Sequence, residues 1–275
     1  MRRRVRCCAA LVLSFVAVQA AGAEPTLARL VEAVREKAKA LEATTGMQLG
    51  FRTFTAANKL NPEQVSRSDF AVVRLLFEST RDAGLWNLHW RITNLEPSSD
   101  NVWKQWGSAR GPAAWVPTAT AECDELSALF AFLARRAGVK GVGLFWPYSN
   151  HTVAVWTVRP TVRVVVPTTQ IFLAENDLFG TRKFDPWTQK NIYEYTRRDA
   201  PDNLSIPSPL FDFFLSQMDK YGGASDLTLQ RLRYLREAVF RRQLTRAQAA
   251  AAALAIVPGS PEDGAAVRHF ARDVQ

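Results

Sequence analysis

The sequence is poor in cysteine, with three in 275 residues, and two of these, Cys7 and Cys8, lie near the N-terminus. Beyond residue 23 only Cys123 remains, so that part of the chain cannot form a disulfide within itself. A lone thiol in an exported protein is exposed to oxidation. Cys123 therefore either has a chemical role or is a small apolar residue in the core.

Histidine is equally scarce, and the chain contains only His89, His151 and His269. No cysteine and histidine residues recur at the spacing of metal ligands, so we predict neither a metal site nor a cofactor. Long apolar runs are lacking too. The longest, from Cys7 to Val18, is shorter than the ~20 residues of a membrane-spanning helix, and no transmembrane segment is predicted.

The first 23 residues have the layout of a secretory signal peptide. Four arginines stand among the first six residues, the apolar run follows, and Ala21-Gly22-Ala23 is a small-x-small cleavage pattern. We predict that residues 1–23 are removed and that the protein is exported to the periplasm or secreted.

The chain has little charge excess. The 35 lysines and arginines fall to 31 without the four leading arginines, against 26 acidic residues. An excess of that size does not favour nucleic-acid binding.

The apolar periodicity predicts an α+β fold, with a helix followed by an antiparallel meander. Residues 24–275 are expected to form a single domain with helical N-terminal (24–84) and C-terminal (205–257) extensions. His269 is assigned to a polar tail. The predicted helices cover 25–45, 68–83, 121–136, 208–219 and, as one long helix or two joined ones, 226–256; the predicted strands cover 86–92, 142–146, 151–158 and 162–166.

Cys123 falls in the first turn of the predicted helix 121–136, with Thr118 or Thr120 as the candidate N-cap. Unpaired N–H groups and the helix dipole favour an anion there, which lowers the pKa of a thiol. The neighbouring Glu122, Asp124 and Glu125 oppose this effect.

His151 opens the second strand after that helix. Strand alternation places it on one face with Val153 and Val155. If that face packs against the helix, the imidazole meets the Cys123 thiol and can carry its proton. His89 remains a rival to His151.

Three segments together resemble the transglutaminase-like superfamily, in a bacterial exported form. They are Glu122-Cys123-Asp124-Glu125-Leu126, Arg136-Ala137-Gly138-Val139, and His151 before an apolar strand. The resemblance covers about residues 115–170. It implies a papain-like core, in which a helix carrying the cysteine packs on an antiparallel sheet carrying the histidine. It also implies a Cys–His–Asp triad that acts on amide bonds.

One position departs from the family, where the third catalytic residue is an aspartate directly before Pro-Thr. Here Val166 precedes Pro167-Thr168, and valine cannot hydrogen-bond an imidazole. Three interpretations stay open: Thr168, Gln170 or Asp185 replaces the aspartate, the enzyme works as a Cys–His dyad, or the scaffold has lost its chemistry and kept binding.

The tryptophans suggest a substrate groove, since aromatic rings wall sites for extended peptides and glycans. Trp146 and Trp156 flank His151 in the sequence, and core packing is their alternative role. The groove and oxyanion-hole candidates are Gln105, Trp86, Trp103 and Trp106.

The first hypothesis for function is a cysteine peptidase, amidase or acyl transferase that forms a thioester on a peptide, protein or cell-wall substrate. The second is an inactive binding module for peptide or cell-wall glycan. A weaker third is an envelope protein whose basic C-terminal helix meets an anionic surface.

Overall fold

The structure is a computed structural model that describes residues 24–81, 90–91, 119–120, 123–148, 151–168, 185–190 and 201–275. Within these ranges eight α-helices accompany a three-stranded antiparallel sheet and a two-residue parallel pair, which confirms the α+β class. The helices are α1 Leu27–Leu41, α2 Thr45–Ala57, α3 Arg67–Thr80, α4 Cys123–Arg136, α5 Ser208–Tyr221, α6 Asp226–Phe240, α7 Arg246–Leu254 and α8 Pro261–Val274. The strands are β1 Trp90–Arg91, β2 Ala119–Thr120, β3 Val142–Tyr148, β4 His151–Arg159 and β5 Val162–Val166.

The antiparallel sheet has the order β3-β4-β5, as the predicted meander requires. Ala154 in the central strand pairs with Leu144 on one side and with Val166 on the other. Helix α4 packs against β3 and β4, and its apolar stripe lies in one buried cluster with Ala154 and Val166. The helix that begins with Cys123 therefore rests on the strand that begins with His151.

Helix α3 is central to the helical part, because every residue from Phe70 to Thr80 is buried. It packs against α1, α4 and α5. A single apolar cluster extends from Leu27 to Val274 and includes one face of the sheet. The helical segments predicted as extensions thus share one core with α4 and the sheet.

Two helices of the structure were missed by the sequence analysis. Helix α2 follows α1 directly and is capped by Thr44, whose hydroxyl oxygen accepts the Met47 N–H at 3.3 Å. Gly46 directly follows the predicted helix 25–45, but it lies in the first turn of α2, where a Cβ would overlap the Gly223 carbonyl oxygen. Glycine is needed there for close packing and does not end a helix.

The second missed helix, α8, replaces the predicted polar tail, so the helical C-terminal part extends beyond 257 to Val274. Ser260 caps it and Pro261 occupies its first turn, an arrangement typical of helix starts. Phe270 and Val274 bury its apolar side. The predicted segment 226–256 forms two helices, α6 and α7.

Other observed boundaries differ less from the predicted ones. Helix α3 begins at Arg67, one residue before the predicted start at 68, and is capped by Ser66. Only Trp90 and Arg91 of the predicted strand 86–92 are among the described residues, and these two form β1. None of the helices in the described ranges is long and apolar enough to cross a membrane.

A buried ion cluster joins α3 to α6 around Glu78. Arg233 donates to its Oε2 at 3.1 Å, while Nη2 of Arg74 lies 3.3 Å and Nη1 of Arg81 lies 3.8 Å from its Oε1. All four side chains are almost fully buried. Burial alone would raise the pKa of Glu78, but the guanidiniums of Arg233, Arg74 and Arg81 together lower it below its ordinary value.

Candidate active site

Cys123 is the first residue of α4 and is half-buried. The N–H groups of the first helical turn have no partner within the helix, and the dipole of this 14-residue helix places positive potential at the same end. Thr120, a predicted N-cap, belongs to β2, and Thr118 and Glu122 lie outside the described residues. The side chains of Asp124 and Glu125 are likewise outside them.

The opposite end of α4 is firmly fixed. Gly138 ends the helix with φ of 110°, a conformation that favours glycine. Arg35 from α1 donates to the carbonyl oxygens of Arg136 and Ala137 at that end. Cations beside the last carbonyls stabilise the helix dipole. The position of Cys123 is thus set by a helix anchored at its far end.

The Cys123 sulfur lies against the start of β4. The backbone N–H of Thr152 donates to Sγ of Cys123 at 3.4 Å, and Oγ of Ser127 donates to the Thr152 carbonyl oxygen at 3.2 Å. Cys123 and Ser127 are four residues apart and share one face of α4. Two side chains of one helix therefore bind both polar groups of a single strand residue. Since Thr152 directly follows His151, the thiol lies beside the chain segment that carries the imidazole.

The face of β4 that packs against α4 is not the face that His151 shares, so the condition stated for that face is not met. Val153 and Val155, which share a strand face with His151, form a separate small cluster with Phe145 and Val165. The opposite face, with Ala154 and Trp156, packs in the core with α4.

Half-buried His151 is the first residue of β4, where its pairing with Tyr148 is shifted relative to the rest of the β3–β4 ladder. Helix and strand meet at this end through Thr152.

The candidates for a third residue have different surroundings. Val166 is fully buried and paired with Ala154, in the core beneath α4. Thr168 is also fully buried, and its hydroxyl lies 2.9 Å from the Ser127 hydroxyl. Asp185 is exposed, and its carboxylate caps a 3-10 turn by accepting the Trp187 N–H at 3.0 Å. Gln170 lies outside the described residues.

The groove and oxyanion-hole candidates Gln105, Trp86, Trp103 and Trp106 lie outside the described residues. Trp156 is a core residue, 2% exposed and stacked on Phe54 with ring centroids 5.8 Å apart. Trp146 is 41% and Trp187 46% exposed. Both rings are therefore partly exposed to solvent.

The side chains of Gln189 and Arg163 hold the segment 185–190 to the sheet, and the sequence analysis missed both contacts. Oε1 of Gln189 accepts the Trp146 N–H at 3.0 Å, and its Nε2 donates to the Leu144 carbonyl at 3.2 Å. Arg163 lies 4.1 Å above the Trp187 ring and donates to three carbonyls of the segment. No periodic pattern in the sequence connects Arg163 with these residues.

The structure describes one of the two other histidines. His269 lies on α8, which packs against α2, α5, α6 and α7. Its burial, and then the adjacent Arg272, lower its pKa. His89 lies outside the described residues. Among the residues described, no group of three or more His, Cys, Asp and Glu side chains could hold a metal ion.

Comparison with known proteins gives no match to a protein-family model, to a curated protein or to a solved structure. The likeness to the transglutaminase-like superfamily therefore rests on the motif residues alone.

Proposed function

We propose that the protein is an exported cysteine-dependent enzyme with a transglutaminase-like core, and that it acts on amide bonds of a peptide, protein or cell-wall substrate. One observation carries the proposal. The Cys123 sulfur, at the start of a helix, accepts a hydrogen bond from the backbone N–H of the residue after His151. A hydrogen bond to the charged form of a group lowers the pKa of an acid, so this contact favours the thiolate.

In the proposed reaction the Cys123 thiolate attacks the carbonyl carbon of the amide, and the carbonyl oxygen becomes an oxyanion. The N–H groups at the start of α4 stabilise that oxyanion. Collapse of the intermediate breaks the C–N bond, and the imidazolium of His151 gives its proton to the departing amine. The acyl group remains on sulfur as a thioester. Water then gives the acid, or a second amine gives a new amide, and His151 takes up the proton of the attacking group.

The proposal predicts that His151→Ala slows alkylation of Cys123 by iodoacetamide about tenfold or more near pH 6. Loss of the imidazolium moves the pKa of the thiol toward its unperturbed ~8.5, and only the thiolate reacts. The rate is measured by mass spectrometry on the single thiol of the mature chain. His269→Ala is the matched control and should alkylate at the wild-type rate. Equal rates in the wild type and in His151→Ala would contradict the proposed pair.

A binding module for peptide or cell-wall glycan is the second candidate. Its support is the buried Val166 in place of the family aspartate, together with the exposed rings of Trp146 and Trp187. A module of this kind binds a peptide or glycan equally well in the wild type and in Cys123→Ala, and it leaves the ligand chemically unchanged.

A further inference from the structure

We infer that Ser127 and Thr168 form a positioning pair for the Cys123 thiolate and act on it through the backbone of Thr152; this inference rests on the proposed function. Both residues are fully buried. Ser127 lies one helical turn beyond Cys123, and Thr168 lies just past the end of β5. Together they connect the cysteine helix to two strands of the sheet.

The direction of the hydrogen bonds follows from the number of protons. A serine hydroxyl has one proton, and that of Ser127 goes to the Thr152 carbonyl oxygen at 3.2 Å. The 2.9 Å contact between the two hydroxyls therefore has Thr168 as donor and Ser127 as acceptor. The chain of bonds runs from Thr168 through Ser127 to Thr152, and the N–H of Thr152 ends it on the Cys123 sulfur.

Thr168 owes its place to a tight turn. Its backbone N–H donates to the Val166 carbonyl at 3.0 Å, across the intervening Pro167. This is a three-residue turn, and the fixed φ of proline suits its central position. The turn brings the Thr168 hydroxyl under α4 directly after the strand has ended. Val166, at the position of the family aspartate, is a core residue. The next polar side chain, that of Thr168, contacts α4 through Ser127.

The pair holds the backbone of Thr152 in place. The N–H and the carbonyl of Thr152 belong to two successive peptide groups, and in a strand both point to the same side of the chain. The bond from Ser127 to the carbonyl restrains this residue, so its N–H keeps its direction toward the sulfur as the thiol loses its proton. Preorganised donors stabilise charge without the cost of reorienting when the charge appears. Ser127 and Thr168 act through the backbone of Thr152 and are positioning residues; neither is assigned a contact with substrate.

The test is the pH dependence of Cys123 alkylation in Ser127→Ala and in Thr168→Val, which removes only the hydroxyl from a similar shape. We expect the midpoint to rise by about one pKa unit in each, so that alkylation near pH 6 slows about tenfold. Thr168→Ser keeps the hydroxyl and should restore the wild-type midpoint. Ser79→Ala is the matched control, because Ser79 is a buried serine whose hydroxyl bonds only within its own helix, to the Leu75 carbonyl at 2.7 Å.

The outcomes separate the two proposals. A wild-type midpoint well below ~8.5, raised in Ser127→Ala and Thr168→Val and unchanged in Ser79→Ala, supports the positioning pair. A low wild-type midpoint that neither variant alters overturns the pair and leaves the enzymatic proposal standing. An ordinary midpoint in the wild type overturns the enzymatic proposal and the pair with it. If Ser127→Ala fails to fold, Thr168→Val and Thr168→Ser decide the question alone.

Discussion

Glu78→Gln is expected to lower the free energy of unfolding by about 3–5 kcal/mol, the range found when one partner of a buried ion pair is removed. The carboxylate of Glu78 compensates three guanidiniums that are themselves buried, those of Arg74, Arg81 and Arg233. Glutamine keeps the shape and removes the charge, so the loss is electrostatic. Denaturant unfolding of residues 24–275 measures this loss.

A surface pair supplies the matched control. Arg29 lies 2.7 Å from Glu32, closer than Arg74, Arg81 or Arg233 lies to Glu78, but the side chains of this pair are 51% and 58% exposed. Because water already solvates both groups, Glu32→Gln should leave the free energy of unfolding nearly unchanged. Equal losses in the two variants would show that the buried cluster does not stabilise the fold.

The stabilisation that Glu78 contributes should depend on pH in one definite direction. The folded-state pKa of Glu78 lies below its ordinary value, so its contribution is fully present above the unfolded-state pKa of ~4.3 and is lost as the pH falls through the folded-state value. The difference in the free energy of unfolding between wild type and Glu78→Gln should thus be constant near neutral pH and become smaller in acid. A difference that grows on acidification would contradict the assigned shift.

Cys123→Ser is expected to abolish acyl transfer, with a loss of about a thousandfold or more. Serine matches the shape of cysteine, but its hydroxyl is not ionised by a helix end and a backbone N–H, and removal of a nucleophile costs several orders of magnitude in comparable enzymes. The assay adds hydroxylamine to protein and a panel of glutamine-containing and cell-wall-type peptides. Hydroxylamine attacks the thioester and releases an acyl hydroxamate, which is measured by mass spectrometry.

The matched control for this assay is Glu32→Gln, which changes an exposed pair on α1 and should form hydroxamate at the wild-type rate. Hydroxamate formed equally by wild type and Cys123→Ser would exclude the cysteine as nucleophile. Binding of a panel peptide without hydroxamate, and with equal affinity in both proteins, would favour the binding module.

The sequence predicts the elements around the site well because their signals are local. Leu126, Leu129, Phe130 and Leu133 recur at helical spacing, and the three strands are apolar segments bounded by turns. The cysteine at the helix start and the histidine at the strand start follow from these boundaries. The prediction that the helix rests on the histidine strand is likewise confirmed.

The face of β4 could not be predicted, and the reason is physical. Every residue from Thr152 to Trp156 is buried, so the strand lacks the alternation of apolar and polar residues that marks a solvent side. Alternation tells which residues share a face with His151, but not which face α4 covers. The face that packs on α4 holds Ala154 and Trp156.

The Ser127–Thr168 pair also has no signature in the sequence. The two hydroxyls are 41 residues apart, and neither interrupts a hydrophobic pattern in a way that indicates a contact. Small polar residues in a core are recognised only when the backbone group they serve is known. Helix α2 was missed for a related reason, since Gly46 serves a close contact with Gly223 and only resembles a helix stop.

The most direct test of the central claim is the titration of the His151 ring by NMR in the wild type and in Cys123→Ser. A thiolate within hydrogen-bonding reach favours the imidazolium, so the wild-type protein should show a His151 pKa at least about one unit above that of the variant. His269 reports on nonspecific change and should titrate identically in both. A His151 titration that is the same with and without the thiol would show that the two side chains do not form a pair.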